Sequence, residues 1–204
     1  MADSKDPVAQ RLSWQPLRPG GANFKTRQLI SELDTITLKP SLLARFLAWC
    51  FLLPGLFVLL AIAPELIIKG QWFKGLFLLL WGLLFGAAGA IQLLLAKRFT
   101  IDRARGVYFF GKCFQEEEQL PRSRQGRLNE IYAVQIIRER VRARSRKYGP
   151  HSFWSYELNL VFADGERVNI LDHGKEPAVD AAARAIANAL AIPAWKAGYQ
   201  DTER

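Results

Sequence analysis

Two long apolar stretches near the middle of the chain constrain its fold more than any other feature. Residues 46–63 number 18 and residues 75–96 number 22, and neither stretch contains a charged side chain. At about 1.5 Å of rise per helical residue, each can cross roughly 30 Å of hydrocarbon. Burying two such helices in a soluble core would need a protein larger than 204 residues. We therefore predict two transmembrane helices, at about residues 42–66 and 73–96, joined as a hairpin over residues 41–96.

Lysine and arginine residues are distributed unevenly around these two predicted spans. The link between the spans carries two of them, Lys69 and Lys74, whereas nine lie on the outer flanks. The nine are Lys25, Arg27, Lys39, Arg45, Lys97, Arg98, Arg103, Arg105 and Lys112. Because positive charge is retained on the cytoplasmic side, we expect a multi-pass protein of the inner (cytoplasmic) membrane with both termini in the cytoplasm.

Glycines recur along the second predicted span. Gly82 and Gly86 are four residues apart and Gly89 follows three later, so the three glycines share one helix face. Such a stripe lets another helix approach closely. That helix belongs either to the first span of the same chain or to a second membrane protein. Neither stretch holds an ionisable group, so transport by this chain alone is not expected.

The polar remainder divides into an N-terminal segment and a C-terminal domain. Residues 1–40 are expected to form a cytoplasmic tail with a short strand at residues 35–39, loose over its first 21 residues because prolines and glycines recur there. Residues 97–204 alternate in the manner of antiparallel strands and end in an amphipathic helix at residues 177–190. The predicted fold class is an α+β membrane protein, whose cytoplasmic domain is a small antiparallel β-sandwich or barrel with one C-terminal helix.

The turn at residues 163–165 allows a prediction of strand register. A two-residue Asp-Gly loop would mix polar and apolar side chains on both faces of the hairpin. A three-residue loop with a left-handed glycine instead places Leu160 opposite Val168 and keeps one face apolar. The same register places Leu158 opposite Ile170, so we predict the longer loop, with a bulge.

The order of these elements resembles a known family. Hairpin 99–111, segment 128–137 and the strand pair at residues 156–172 precede a single helix. This arrangement is similar to bacterial membrane-anchored proteins that carry a pleckstrin-homology-like (PH-like) domain after two transmembrane helices. The resemblance covers about half of the chain. It implies a small sandwich that binds or scaffolds and carries no catalytic centre.

A run of alternating arginines is the most informative local feature. Six basic side chains lie between residues 138 and 147: Arg138, Arg140, Arg142, Arg144, Arg146 and Lys147. On a helix every second residue would scatter around the axis, but on a strand the five arginines point to one face. Since the flanking segments alternate like strands, we predict an arginine ladder on a projecting hairpin that turns near Gly149 and Pro150. Phe153 and Trp154 on the returning strand would add interfacial anchoring.

Phosphate is the expected target of such a ladder, because guanidinium groups bind it through paired hydrogen bonds. Near a cytoplasmic leaflet this means the headgroups of anionic phospholipid, at about 1 kcal/mol per basic residue. The alternatives are an acidic protein partner, or a solvated edge strand whose charges prevent aggregation. Residues 97–204 hold 19 basic and 14 acidic residues, a net charge of +5 (19 − 14), which is too small for a dedicated nucleic-acid binder.

Patterns for catalysis or metal binding are weak in this sequence. His151 and His173 are the only histidines, and residues 116–118 form an acidic run typical of a solvated loop. The two cysteines have no metal-ligand spacing. We therefore expect no enzyme, metal or cofactor, but a membrane-anchored binding or scaffold module that contacts anionic lipid or a membrane-protein partner. The alternative function is an accessory or assembly subunit of a larger membrane complex, which packs through its transmembrane helices.

Overall fold

Nine strands and five α-helices make up the described part of the chain. The computed structural model describes residues 6–17, 19–21, 27–116, 120–145 and 149–196. In chain order the elements are α1 (Pro7–Arg11), β1 (Arg27–Ser31), β2 (Thr35–Pro40), α2 (Leu42–Phe57), α3 (Ala63–Ile68), α4 (Trp72–Leu95), β3 (Phe99–Asp102), β4 (Val107–Phe110), β5 (Gln125–Arg127), β6 (Ile131–Ser145), β7 (Gly149–Phe162), β8 (Arg167–His173), α5 (Glu176–Leu190) and β9 (Ala194–Lys196). They fall into two compact units, Pro40–Lys97 and the remainder of the chain. The coarse class is α+β with antiparallel sheets, as predicted.

The smaller unit is a pair of apolar helices. A π-helical turn, Val58–Ile62, joins α2 to α3, so that Leu42–Ile68 is one continuous helix of 27 residues, and α4 has 24. Ser41 begins the first helix, because its side-chain oxygen accepts a hydrogen bond from the backbone N–H of Ala44 at 3.1 Å. Both helices are long and apolar enough to cross a membrane. Their bounds agree with the predicted spans to within two residues.

The first sheet of the larger unit combines strands that precede the two apolar helices in the sequence with strands that follow them. Its strand order is β1-β2-β3-β4-β5. Strand β2 ends just before α2 and β3 begins just after α4, yet β2 and β3 pair directly, with Leu38 opposite Phe99. The predicted division into a tail of residues 1–40 and a domain of residues 97–204 was therefore wrong in one respect. Residues before the apolar helices supply two strands of the domain.

The second sheet has the order β8-β7-β6-β9, with β9 parallel to β6. The predicted three-residue loop is confirmed: Leu160 lies opposite Val168, and Gly165 adopts a φ of +86°. The other predicted pair was wrong. A register shift between Leu158 and Asn159 places Leu158 opposite Leu171, one residue beyond Ile170.

The main hydrophobic core lies between the two sheets and α5. Helical spacing predicts one apolar stripe, Val179, Ala182, Ala183, Ile186 and Leu190. The helix buries the first four of these together with Ala187, whereas Leu190 is only partly buried against the core. Leu158, Leu160 and Phe162 on β7 meet this stripe with no solvent exposure. Full burial of such side chains contributes about 1.5–3 kcal/mol each. The core thus fixes the position of β7 and of the strand paired with it, β6.

The N-terminal segment, which was expected to be loose, packs onto the larger unit. The carboxylate of Asp6 accepts hydrogen bonds from the backbone N–H groups of Val8 and Ala9 and begins α1. A second apolar cluster then joins the segment to the sheet; it contains Val8, Ala9, Leu12, Ala133, Val161 and Trp195. Prolines and glycines interrupt regular structure after α1, but the segment still packs against the sheet. We call residues 6–21 the strap; residue 18 lies outside the described residues.

Candidate functional site: the arginine ribbon

Strands β6 and β7 continue well beyond the sheet to which they belong. Their pairing runs from Ile131 and Phe162 out to Ser145 and Gly149. Among the described strands, β8 follows β7 only as far as Tyr156, and β9 ends beside β6 at Ile136. The outer part is therefore a two-stranded ribbon, residues 138–145 and 149–156. At about 3.3 Å per residue, it projects by roughly 20 Å.

One face of this ribbon carries the alternating arginines. Arg138, Arg140 and Arg142 are at every second position of β6, which places them on a single face. Arg140 and Arg142 are exposed, and the Nε of Arg140 donates a hydrogen bond to the Oγ of Ser152 at 3.2 Å. We call this side the arginine face. Arg144 continues the alternation in β6, but its side chain, like Arg146 and Lys147, lies outside the described residues.

The pairing of β6 and β7 reaches closer to the predicted turn than the sequence suggested. Ser145 pairs with Gly149, and residues 146–148 lie outside the described part. Gly149 and Pro150, which were expected near the turn, are the first residues of β7. Proline is tolerated there because it opens a strand that has no neighbour on its other side among the described strands.

The two aromatic residues of the returning strand lie on opposite faces of the ribbon. Trp154 is on the arginine face, where the guanidinium of Arg138 lies 3.6 Å from its ring centroid and that of Arg140 lies 5.7 Å away. Phe153 is opposite Val141 on the other face. Trp154 is also half-buried against the main core. It therefore contacts the arginines of its own face, and the interfacial anchoring expected of Phe153 and Trp154 stays a prediction.

Arg138 differs from the outer arginines because it belongs to a charged cluster at the base of the ribbon. The pKa of Glu176 lies below its ordinary value because Lys196 donates a hydrogen bond to it, which outweighs the effect of burial. The hydroxyl of Tyr156 and the charge of Arg138 lower it further. The Nζ of Lys196 lies 2.5 Å from Glu176 and 3.1 Å from Asp180. Arg138 is therefore tied to the fold, and Arg140 and Arg142 are the outward-facing cations.

A second group of arginines, at the turn between β3 and β4, is paired internally. Arg103 donates to the backbone oxygen of Leu33. Arg105 forms an ion pair of 2.7 Å with Glu116, the first residue of the acidic run in the sequence. The rest of that run lies outside the described residues. Compared with this turn, the ribbon offers its arginines with fewer internal partners.

The glycine stripe of α4 faces the other apolar helix of the same chain. A Cβ atom at Gly89 would lie 2.5 Å from the backbone nitrogen of Leu52 and 2.6 Å from the backbone oxygen of Ala48. At Gly82 it would lie 2.9 Å from the backbone oxygen of Gly55. Gly86 is less crowded, since its nearest atom would be 4.0 Å away. The close approach that these glycines permit is used by α2, so a second protein would have to contact other faces.

Of the two histidines in the chain, His173 has a described side chain. It is buried, and its Nδ1 accepts a hydrogen bond from the backbone N–H of Lys175 at 2.8 Å. The side chain of His151 lies outside the described residues. Within the described ranges, no three His, Cys, Asp or Glu residues are arranged to hold a metal ion.

Comparison with protein families, with curated proteins and with solved structures finds no match for this chain.

Proposed function

We propose that this protein is a non-enzymatic binding module, anchored in the inner membrane by its two apolar helices, whose arginine face binds the phosphate groups of anionic lipid. The observation that carries the proposal is the exposure of Arg140 and Arg142 on one face of a projecting ribbon. Guanidinium groups bind phosphate through paired, charge-assisted hydrogen bonds. Arg144 and Arg146 continue the same alternation in the sequence.

Membrane anchoring makes weak headgroup contacts effective. Two helices of 27 and 24 residues are apolar enough to span a bilayer, and the excess of flanking basic residues favours cytoplasmic termini. Each basic residue near an anionic surface contributes about 1 kcal/mol. A tethered ribbon meets headgroups at a high effective concentration, so contacts that are individually weak can suffice. The proposal includes a PH-like fold, which the two antiparallel sheets and the closing helix α5 support.

The test uses the full chain held in nanodiscs of phosphatidylcholine, mixed with separate vesicles and floated on a density gradient. We expect the nanodiscs to rise with vesicles that contain phosphatidylglycerol and not with vesicles of phosphatidylcholine alone. The association should weaken steeply as salt is raised, because the contact is electrostatic. Reversal of both exposed arginines, Arg140→Glu with Arg142→Glu, should abolish it.

The matched control makes the same change of charge on another exposed surface. Arg124 and Arg127 are both exposed and lie outside the ribbon, so Arg124→Glu with Arg127→Glu should leave co-flotation within about twofold. If the two reversals are equally damaging, net charge and not the arginine face drives association. If no variant floats with anionic vesicles, and the ribbon also makes no contact with anionic headgroups of the membrane that anchors the chain, the lipid proposal fails. An acidic protein partner then becomes the better explanation of the exposed arginines.

A further inference from the structure

The strap runs along the outer face of the second sheet, on the side away from the arginines. It begins at an apolar anchor, where Leu12 is 6% exposed and packs with Trp195. It ends beside the ribbon, where a Cβ atom at Gly21 would overlap the side chain of Ser155. Between these points the strap is neither helix nor strand. Its contacts with the sheet are made by side chains of the sheet.

Two of these side chains bind carbonyl groups of the strap. The Nε2 of Gln135 donates to the backbone oxygen of Ser13 at 3.1 Å, and a guanidinium nitrogen of Arg167 donates to that of Gln15 at 2.9 Å. Gln135 has no exposed surface. Its Oε1 lies 3.3 Å from Arg167, so the two donors hold each other in position.

Two glutamates bind amide groups further along the strap. Glu157, which is 4% exposed, accepts a hydrogen bond from the backbone N–H of Leu17 at 3.0 Å. Glu139 accepts one from the backbone N–H of Gly20 at 3.0 Å. Hydrogen bonds to an ionised carboxylate are stronger than those between neutral groups. Along the strap from Ser13 to Gly20, the sheet therefore offers first two hydrogen-bond donors, Gln135 and Arg167, and then two acceptors, Glu157 and Glu139.

The sheet recognises the backbone of the strap more than its side chains. The side chains of Ser13, Gln15 and Leu17 are exposed, although the backbone group of each is bound. Trp14 and Pro16, between them, are half-buried. Affinity that comes from main-chain hydrogen bonds tolerates changes of sequence in the bound segment. Another extended segment with the same spacing would make the same four bonds.

One buried polar atom shows that the strap does not satisfy this surface completely. Asn159 has no exposed surface; its Nδ2 donates to Glu157 at 2.6 Å, but its Oδ1 has no hydrogen-bond partner among the described residues. Asn159 pairs across the strands with Gln135, so it lies between the contacts to Ser13 and to Leu17. The strap residue before Leu17 is Pro16, which has no N–H to donate. A buried acceptor without a donor weakens binding, which makes the strap an exchangeable occupant.

We infer that this outer face is a groove for an extended segment of a partner protein, and that the strap closes the groove in cis. The groove is defined by Gln135, Glu139, Glu157, Asn159 and Arg167. The partner segment presents two carbonyls and then two amides to these residues, and places an apolar anchor near Trp195. Because the strap competes from within the same chain, the partner binds only in proportion to the fraction of open grooves.

The experiment measures binding of a fluorescent synthetic peptide, with the sequence of residues 6–21, to the full chain in neutral detergent. The strap of the chain is weakened by Leu12→Asp with Gly21→Val, which removes its anchor and creates the overlap with Ser155. Neither position is one of the five groove residues, and a Cβ atom at Gly21 would lie 3.6 Å from a carboxylate oxygen of Glu139, an ordinary van der Waals contact. We expect the peptide to bind this opened chain about tenfold or more tightly than the unaltered chain, because the internal competitor is lost. Gly21→Ala alone, a milder change, should give an increase of about threefold.

Variants of the peptide test how the groove recognises it. Methylation of the Leu17 nitrogen removes the N–H that Glu157 accepts and should weaken binding to the opened chain by about tenfold. Replacement of the exposed Gln15 by alanine keeps its backbone oxygen and should change binding by less than about twofold. Glu157→Ala in the opened chain should produce a loss similar to that of the methylated peptide.

The following results would overturn the inference. Peptide binding that neither the opened chain nor Gly21→Ala increases shows that the strap is a permanent part of the fold. Equal binding of the methylated and unmodified peptides shows that the contact lies elsewhere. An apparent affinity that falls as the concentration of the unaltered chain rises shows that straps are exchanged between copies of this chain, and removes the case for a separate partner.

Discussion

The two faces of the β6–β7 hairpin share the same backbone but have opposite surroundings. On the arginine face, Arg140 and Arg142 point to solvent. On the strap face, Glu139 and Glu157 accept hydrogen bonds from backbone amides of the strap. Strand alternation alone separates the two sets of charges. A single hairpin can therefore present cations outward while its carboxylates are used to hold another part of the chain.

This contrast implies that the two faces have different roles, one in stability and one in binding. Groups on the strap face are bound within the molecule, so they contribute to the stability of the larger unit. The outer groups on the arginine face are exposed, so they are available to a ligand outside the chain. Substitutions on the strap face should consequently change the free energy of unfolding, and substitutions on the arginine face should change vesicle binding. A substitution that changed both equally would contradict this difference between the faces.

The largest expected effect is a loss of folding stability, caused by a substitution in the strap. Leu12→Asp places a charge in the apolar cluster that contains Trp195 and should lower the free energy of unfolding by about 3 kcal/mol. Arg140→Gln with Arg142→Gln should change it by less than about 0.5 kcal/mol, as is usual for exposed residues. Denaturant unfolding of the full chain in detergent measures both. If both variants lowered the free energy of unfolding equally, the proposed difference between the strap face and the arginine face would be wrong.

A smaller effect comes from Glu139, which lies within the arginine-rich stretch but on the strap face. Glu139→Gln weakens the bond to Gly20 and should lower stability by about 1 kcal/mol. It also removes the negative charge nearest to the ladder in sequence, so affinity for anionic vesicles should rise by about fivefold. Unfolding and co-flotation of the same preparation check the two outcomes. A fall in vesicle affinity would mean that the strap contact is needed for lipid binding.

Only the arginine face could be predicted from the sequence, and the reason is physical. Alternation with a period of two is a local signal, so the spacing of Arg138, Arg140 and Arg142 is enough to assign them to one face. The strap contacts join residues separated by 119 and 140 positions, and they involve backbone groups of the strap. Backbone groups leave no side-chain pattern. Prolines and glycines were therefore interpreted as a loose tail, although they suit an extended bound segment equally well.

The same distinction explains the rest of the fold. Helix bounds, the loop at residues 163–165 and the buried stripe of α5 all followed from local periodicity and turn chemistry. The short strands β1, β5 and β9 were missed because each has only three to five residues, too few for a clear alternation. Strand β9 in addition pairs with β6, which is far from it in the sequence. The shared face of Gly82, Gly86 and Gly89 followed from helical spacing, but the choice of α2 as their partner depends on tertiary packing, which spacing does not encode.

Trp154 and Phe153 give a sharper test, because adjacent residues occupy the two faces. Trp154→Leu removes the ring that lies 3.6 Å from Arg138 and should lower stability by about 1 kcal/mol, since it removes a cation–π contact. Phe153→Leu keeps an apolar side chain on the other face and should have less effect. Thermal unfolding compares the two. If both variants instead reduce binding to anionic vesicles by the same factor, the aromatics act as a joint membrane anchor.

The smallest effect is expected on acidification, at the base of the ribbon. Because the hydrogen bond from Lys196 lowers the pKa of Glu176, the folded state binds this proton less readily than the unfolded chain. Its contribution to stability is present above the ordinary pKa of a glutamate, about 4.3, and is lost as the pH falls through the lower folded value. The difference in melting temperature between the unaltered chain and Glu176→Gln should therefore shrink below about pH 4. A constant difference across that range would contradict the assignment.

The most direct test of the arginine face as the lipid contact places a photoreactive amino acid on one face at a time. The full chain, in membranes that contain phosphatidylglycerol, carries benzoylphenylalanine either at Arg142 or at Phe153, neighbouring positions on opposite faces. After illumination, mass spectrometry counts lipid adducts. The proposal predicts adducts from position 142, reduced by salt, and few from position 153. Equal adducts from both positions, or none from position 142, would show that the arginine face is not the surface that binds lipid.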